Sequence, residues 1–109
     1  MFEIERKAGE CCFTMAQIKQ ANRDAGQHFF ERGTMRFFRS KVATRRPING
    51  AYFVTSEQFD DNSPRLYTVR RVDLQTGKID TVGEFQAWRT LRAAKSVAFH
   101  AALNDPQLQ

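Results

Sequence analysis

Between Met35 and Ala87 the chain sets one strand-like segment after another, with turns and no helical stretch between them. That grouping constrains the fold more than any other feature. Ala51-Tyr52-Phe53-Val54-Thr55-Ser56 is rich in aromatic and β-branched residues and follows a turn signal at Pro47 to Gly50. Asp60-Asp61-Asn62-Ser63-Pro64 reads as a loop. Leu66 to Val72 alternates: Tyr67, Val69 and Arg71 share one face, Leu66, Thr68, Arg70 and Val72 the other. Asp73 to Lys78 supplies a hairpin loop with Gly77 where φ turns positive, and Ile79 to Ala87 returns as the last strand with a bulge at Gly83. Met35-Arg36-Phe37-Phe38, leading into Ser40-Lys41-Val42, reads as a weak strand or an irregular entry to the sheet. Elements of one kind in succession argue for α+β rather than alternating α/β.

Helices flank this block. Thr14-Met15-Ala16-Gln17 forms a capping box, and Phe13 and Ile18 stand at the hydrophobic-staple positions. Ile18, Ala21 and Ala25 make an apolar stripe that Phe29 extends, and Gly26 is a stop, so the first helix spans about 14–25. A second helix fills 90–103, capped by Thr90, with Leu91, Ala94, Val97, Ala98 and Ala101 at helical spacing. Asn104 and Pro106 end it. The expected architecture is a single α+β domain over residues 1–109. It has an N-terminal helix, a three- to four-stranded antiparallel sheet and a C-terminal helix, both helices on one face. Residues 1–12 and 104–109 are expected to be frayed or irregular. Ile18, Ala21, Phe53, Val69, Val82, Leu91, Ala94 and Ala98 are expected in the core.

The 109 residues carry a formal charge of +5, so the chain will seek anions, and the cations cluster. Arg32, Arg36, Arg39, Lys41, Arg45 and Arg46 fall in a stretch without a single acid, with Met35, Phe37 and Phe38 among them. Cations for phosphates beside rings for bases is the chemistry of single-strand binding. The competing reading makes both rings core and the arginines a solvated rim. Arg89, Arg92 and Lys95 form a second basic surface at the start of the second helix, where free N–H groups and the helix dipole favour anions. Arg70 and Arg71 point to opposite faces of their strand, so the one on a covered face must snorkel or pair with an acid. Glu57, Asp60 and Asp61 gather in one short stretch, which would make the molecule dipolar.

Other chemistry is thin. Cys11 and Cys12 are adjacent, a spacing that neither closes a zinc tetrahedron nor makes an unstrained disulfide, and they read as reduced thiols. His28 and His100 stand far from the cysteines, no phosphate-binding glycine loop occurs, and Asp60-Asp61 sits in a loop where solvated acids are usual. No catalytic residue, metal or cofactor is expected. No apolar run approaches about 18 residues, so no membrane helix is expected. The charged opening MFEIERKAGE does not read as a secretory signal, which points to a cytoplasmic setting.

Two resemblances add context. Leu66 to Leu103, closing with TLRAAKSVAFHAAL (90–103), resembles the latter part of a double-stranded-RNA-binding domain, in which basic residues at the start of the last helix lie on groove phosphates. Arg89, Arg92 and Lys95 would take that role. The loop FDDNSPR (59–65) departs from that family, being acidic where a groove-entering loop would stand. NRDAGQHFFERGTMRFFRS (22–40), YFVTSEQF (52–59), YTVRR (67–71) and TVGEFQ (81–86) resemble small uncharacterised proteins encoded by phages, prophages and other mobile elements. That resemblance implies an accessory protein acting on nucleic acid or on a host complex. The expected function is therefore non-enzymatic binding of nucleic acid or a nucleoprotein complex through Arg32, Arg36, Phe38, Arg39, Lys41, Arg45, Arg46, Arg89, Arg92 and Lys95. The alternative is an anti-defence inhibitor of anti-CRISPR type that acts by protein contact, and a further alternative is an enzyme.

Overall fold

A computed structural model describes residues 14–48, 51–73 and 75–106, together with the backbone of 6–7 and 10–11. The elements run β1 (Arg6–Lys7), β2 (Glu10–Cys11), α1 (Met15–Asp24), α2 (Arg32–Phe37), β3 (Lys41–Val42), β4 (Tyr52–Gln58), β5 (Arg65–Val72), β6 (Ile79–Val82) and α3 (Leu91–Leu103). β3-β4-β5-β6 form one antiparallel sheet in chain order, and β1 pairs with β2 separately. The α+β class, the helix near each end and the four antiparallel strands are as the sequence predicts.

Local chemistry sets the helix ends. The Thr14 hydroxyl accepts from the Gln17 N–H at 3.2 Å, while Gln17 Oε1 accepts from the Thr14 N–H at 2.8 Å, which is the predicted capping box. The staple partner Phe13 lies outside the described residues. Gly26 takes φ +75° just beyond the C-cap Ala25 and stops α1. Asn22 Nδ2 then donates to the Gly77 carbonyl at 2.8 Å, fixing α1 to the β5–β6 turn. Thr90 caps α3 through the Ala93 N–H at 3.1 Å.

The sheet is covered on both faces, where the sequence suggested a single helical layer. Tyr52 lies opposite Arg71 and Phe53 opposite Arg70, so these neighbouring pairs project to opposite sides. On the Tyr52 side, Asp105 just beyond α3 accepts from the Tyr52 hydroxyl at 2.8 Å and from Arg71 Nε at 2.6 Å. On the Phe53 side lie the rings of Phe29 and Phe30, with centroids 6.2 and 5.9 Å from that of Phe53, and Lys19 of α1 sits 5.9 Å over Phe30. The cover on this side comes from Phe29 and Phe30, of which the sequence placed Phe29 only as an extension of the first helix's stripe.

Other corrections concern ends and depth. Residues 32–37 form α2, so Met35-Arg36-Phe37 is helical rather than a weak strand or irregular entry, while Lys41–Val42 is strand β3. Its N-cap Glu31 makes no side-chain cap bond and Gly33 sits inside it, so no start signal marks it in the sequence. The last strand stops at Val82, not Ala87, because Gly83 and Gln86 take φ +77° and +57°. The chain rejoins the sheet at Trp88, whose backbone exchanges hydrogen bonds with Tyr67 at 2.7 and 3.1 Å. Ile18, Ala21, Phe53, Val69, Ala94 and Ala98 are buried as expected, while Val82 and Leu91 are only partly buried against that core. Asp105 is buried and bonded, not frayed.

Candidate functional site

The acid-free stretch is divided by the fold into two parts with different surroundings. Its first part is α2 and the turn after it. Phe37 is 80% exposed and Phe38 46%, so Phe37 is not core. The Phe38 ring packs on Phe37 with centroids 4.8 Å apart and faces Phe85 at 6.2 Å. Arg39 follows in the left-handed region at φ +50° and pairs with Asp61 at 2.6 Å, while its carbonyl accepts from Arg65 at 2.7 Å. The acidic loop therefore folds back onto the basic segment, and the expected dipolar separation is reduced there. Arg32, Arg36 and Lys41 are exposed and make no ion pair among the described residues.

The second part runs along the edge of β4. The Ala43 N–H donates to the Val54 carbonyl at 2.7 Å, Thr44 Oγ1 accepts from the Val54 N–H at 3.3 Å, and Ile48 bridges to Tyr52. This course brings Arg45 and Arg46 beside Lys95 of α3. Together with Ala43, Thr44, Pro47 and Ile48 they line a depression of about 670 Å³. The two basic surfaces read separately in the sequence thus meet through these three cations. Arg89 and Arg92 are exposed but line no part of it, and neither do Arg32, Arg36, Phe38, Arg39 and Lys41.

A third feature was not expected. Glu57, grouped by sequence with the loop acids, lies on β4 and is 1% exposed. Its Oε1 accepts from Thr68 at 2.6 Å, and its Oε2 accepts from Thr55 at 2.6 Å, Arg70 Nη2 at 3.1 Å and Ser40 at 3.2 Å. The signal was present: Phe53, Thr55 and Glu57 alternate onto one face of β4, opposite Tyr52, Val54 and Ser56. Arg70, expected to snorkel or pair, pairs with this carboxylate, and Arg71 pairs with Asp105. Burial lowers the Arg70 pKa from its ordinary value, and the Glu57 charge opposes that shift. Arg70 also walls a cavity of about 260 Å³ with Phe29, Thr34, Met35, Phe38, Ser40 and Phe85.

The remaining polar candidates are local. His28 Nδ1 contacts Glu31 at 2.6 Å on the surface, and His100 is exposed beside Phe99. Asp60 organises its own loop, accepting from the Asn62 N–H and the Ser63 hydroxyl at 2.9 Å each, and these bonds lower its pKa. Among the described residues no group of three His, Cys, Asp or Glu could hold a metal ion, and no helix is long and apolar enough to cross a membrane. The Cys11 and Cys12 side chains lie outside the described residues. No curated protein and no solved structure matches the chain. Residues 14–99, from the cap of α1 into α3, do match a family of unknown function, DUF7447, and the chain belongs to that family.

Proposed function

We propose that the protein is a non-enzymatic module that binds a nucleic-acid backbone, alone or within a nucleoprotein complex. The observation that supports this reading is the meeting of Arg45, Arg46 and Lys95 around one depression, with no acid among its lining residues. Three cations that are unpaired among the described residues, set on a concave surface, raise the local potential and favour a polyanion over a single small ion. Arg32, Arg36, Lys41, Arg89 and Arg92 extend the positive surface a longer strand would meet. A gel shift with single- and double-stranded DNA and RNA over a salt series tests the proposal. Binding should weaken steeply with salt. Changing Arg45, Arg46 and Lys95 together to Gln should flatten the log–log slope by about one for each lost contact. Wild-type binding by that triple variant would overturn it.

A second reading draws on a different observation. Phe37, Phe38 and Phe85 expose a small aromatic cluster, the kind of surface that seats against another protein. In that reading the protein is an accessory factor of phage or mobile-element type that blocks a host complex by contact. Salt-insensitive capture of one host protein, lost in Phe37→Ala, would favour it over the first.

A further inference from the structure

The cavity between α2 and the 83–87 loop has the chemistry of a receptor for one planar, hydrogen-bonding ring. Its volume of about 260 Å³ falls just under the roughly 300–1,000 Å³ of sites for drug-sized ligands, which suits a single base. Phe29, Met35, Phe38 and Phe85 supply apolar and aromatic wall. Stacking on such rings is sequence-tolerant, so selectivity must come from the polar groups.

Those groups centre on Arg70, which is 8% exposed. Its Nε, Nη1 and Nη2 donate to Thr55 at 3.0 Å, Thr81 at 2.6 Å and Glu57 at 3.1 Å. A guanidinium carries five N–H groups, so one on each terminal nitrogen has no acceptor among the described residues. Glu57 pairs with the guanidinium, which lies 5.1 and 5.5 Å over the Phe29 and Phe85 rings, so the wall carries unused donors whose charge is balanced. That arrangement suits a neutral base better than a phosphate. Two donors on one planar fork match the adjacent O6 and N7 acceptors of guanine, whereas adenine presents a donor beside its N7. The hydroxyl oxygens of Thr34 and Ser40 on the same wall can accept from guanine's own N–H groups.

The backbone around the cavity is held in the same service. Arg39 and Gln86 are the two non-glycine residues with positive φ among the described residues, and each directly follows a phenylalanine of the wall. Such strained positions cluster at ligand clamps. Gln86 is tethered by its N–H to the Thr68 hydroxyl at 2.8 Å, and that hydroxyl donates to Glu57. One buried carboxylate therefore anchors both the arginine and the loop that presents Phe85.

We propose that this cavity binds one unpaired guanine base, presented by a single strand or by a free nucleotide. For a strand, the proposal rests on the backbone-binding reading above, with Arg36 and Lys41 beside the wall residues available to flanking phosphates. The test uses fluorescence anisotropy with oligothymidine strands whose central position is guanine, adenine or abasic. Wild type should bind the guanine strand at least about fivefold more tightly than either other strand. Phe85→Leu keeps apolar bulk but removes the ring, so it should bring the guanine strand down to the abasic level while the circular dichroism spectrum shows the fold retained. Separately, guanosine monophosphate should shift the Met35 methyl resonance and adenosine monophosphate should not. Equal, salt-dependent binding of all three strands with no Met35 shift would overturn the guanine site and leave the backbone reading standing. A Met35 shift without any strand binding would keep the site as one for free nucleotides and overturn the backbone reading. Absence of both would overturn both.

Discussion

At the scale of single residues, the structure turns on a few positions with no room for change. A Cβ on Gly77 would stand 2.5 Å from the Ala21 carbonyl oxygen, and the backbone there has φ +75°. Gly77→Ala therefore adds a backbone clash to a left-handed penalty, and chemical denaturation should show a loss of about 2–4 kcal/mol. Glu57→Gln leaves Arg70 as a buried charge without its counter-ion, which should cost about 3–5 kcal/mol. The double variant Glu57→Gln with Arg70→Met should recover much of that loss, because it removes the stranded charge as well. A double-mutant cycle by thermal or urea melts measures the difference. Phe53→Ala, at the centre of both ring contacts, should cost about 3–5 kcal/mol.

At the scale of elements, legibility followed local chemistry. Thr14 with Gln17, Gly26, the alternation over Leu66 to Val72, Gly77 and Thr90 are each marked by a residue whose own hydrogen bond or backbone freedom makes the boundary, and all were readable. α2 was not, because no side chain caps it and Gly33 sits within it, and Met35-Arg36-Phe37-Phe38 looks like strand. The end of β6 was hidden by Gln86, an ordinary residue held left-handed through Thr68. Asp105 was read as frayed because its partners Tyr52 and Arg71 are remote in sequence. That contact carries a pH prediction. Burial and the Asp105 carboxylate raise the Tyr52 pKa above the ordinary phenol value of 10.0. The unfolded chain therefore loses this proton first as pH rises, so the stabilisation is complete below about pH 10 and fades above it. Melting temperatures taken across that range should fall less steeply in Tyr52→Phe than in wild type.

At the scale of the whole molecule, the basic composition was legible and its arrangement was not. Arg45, Arg46 and Lys95 come from segments that no periodicity connects, and only the run of 43–48 along β4 places them together. The same blindness hid the pairing of Arg39 with Asp61, since a surface ion pair across a sheet edge leaves no trace in spacing. Neutralising Arg36 and Lys41 should lower strand affinity but barely alter the melting temperature, because exposed charges add little to stability. The strand order β3-β4-β5-β6 has a kinetic consequence. Each pairing closes a loop between neighbours in the chain, so little entropy is spent before contacts repay it, and the sheet can form early. Two far-reaching ties, Asn22 to Gly77 and Tyr52 to Asp105, span 55 and 53 residues and fasten the outer helices. Their long loop closures predict that they form late, after the transition state. Removing the Tyr52 hydroxyl should therefore leave the folding arm of a chevron in place and raise the unfolding arm, making the helices latches on a sheet that assembles without them.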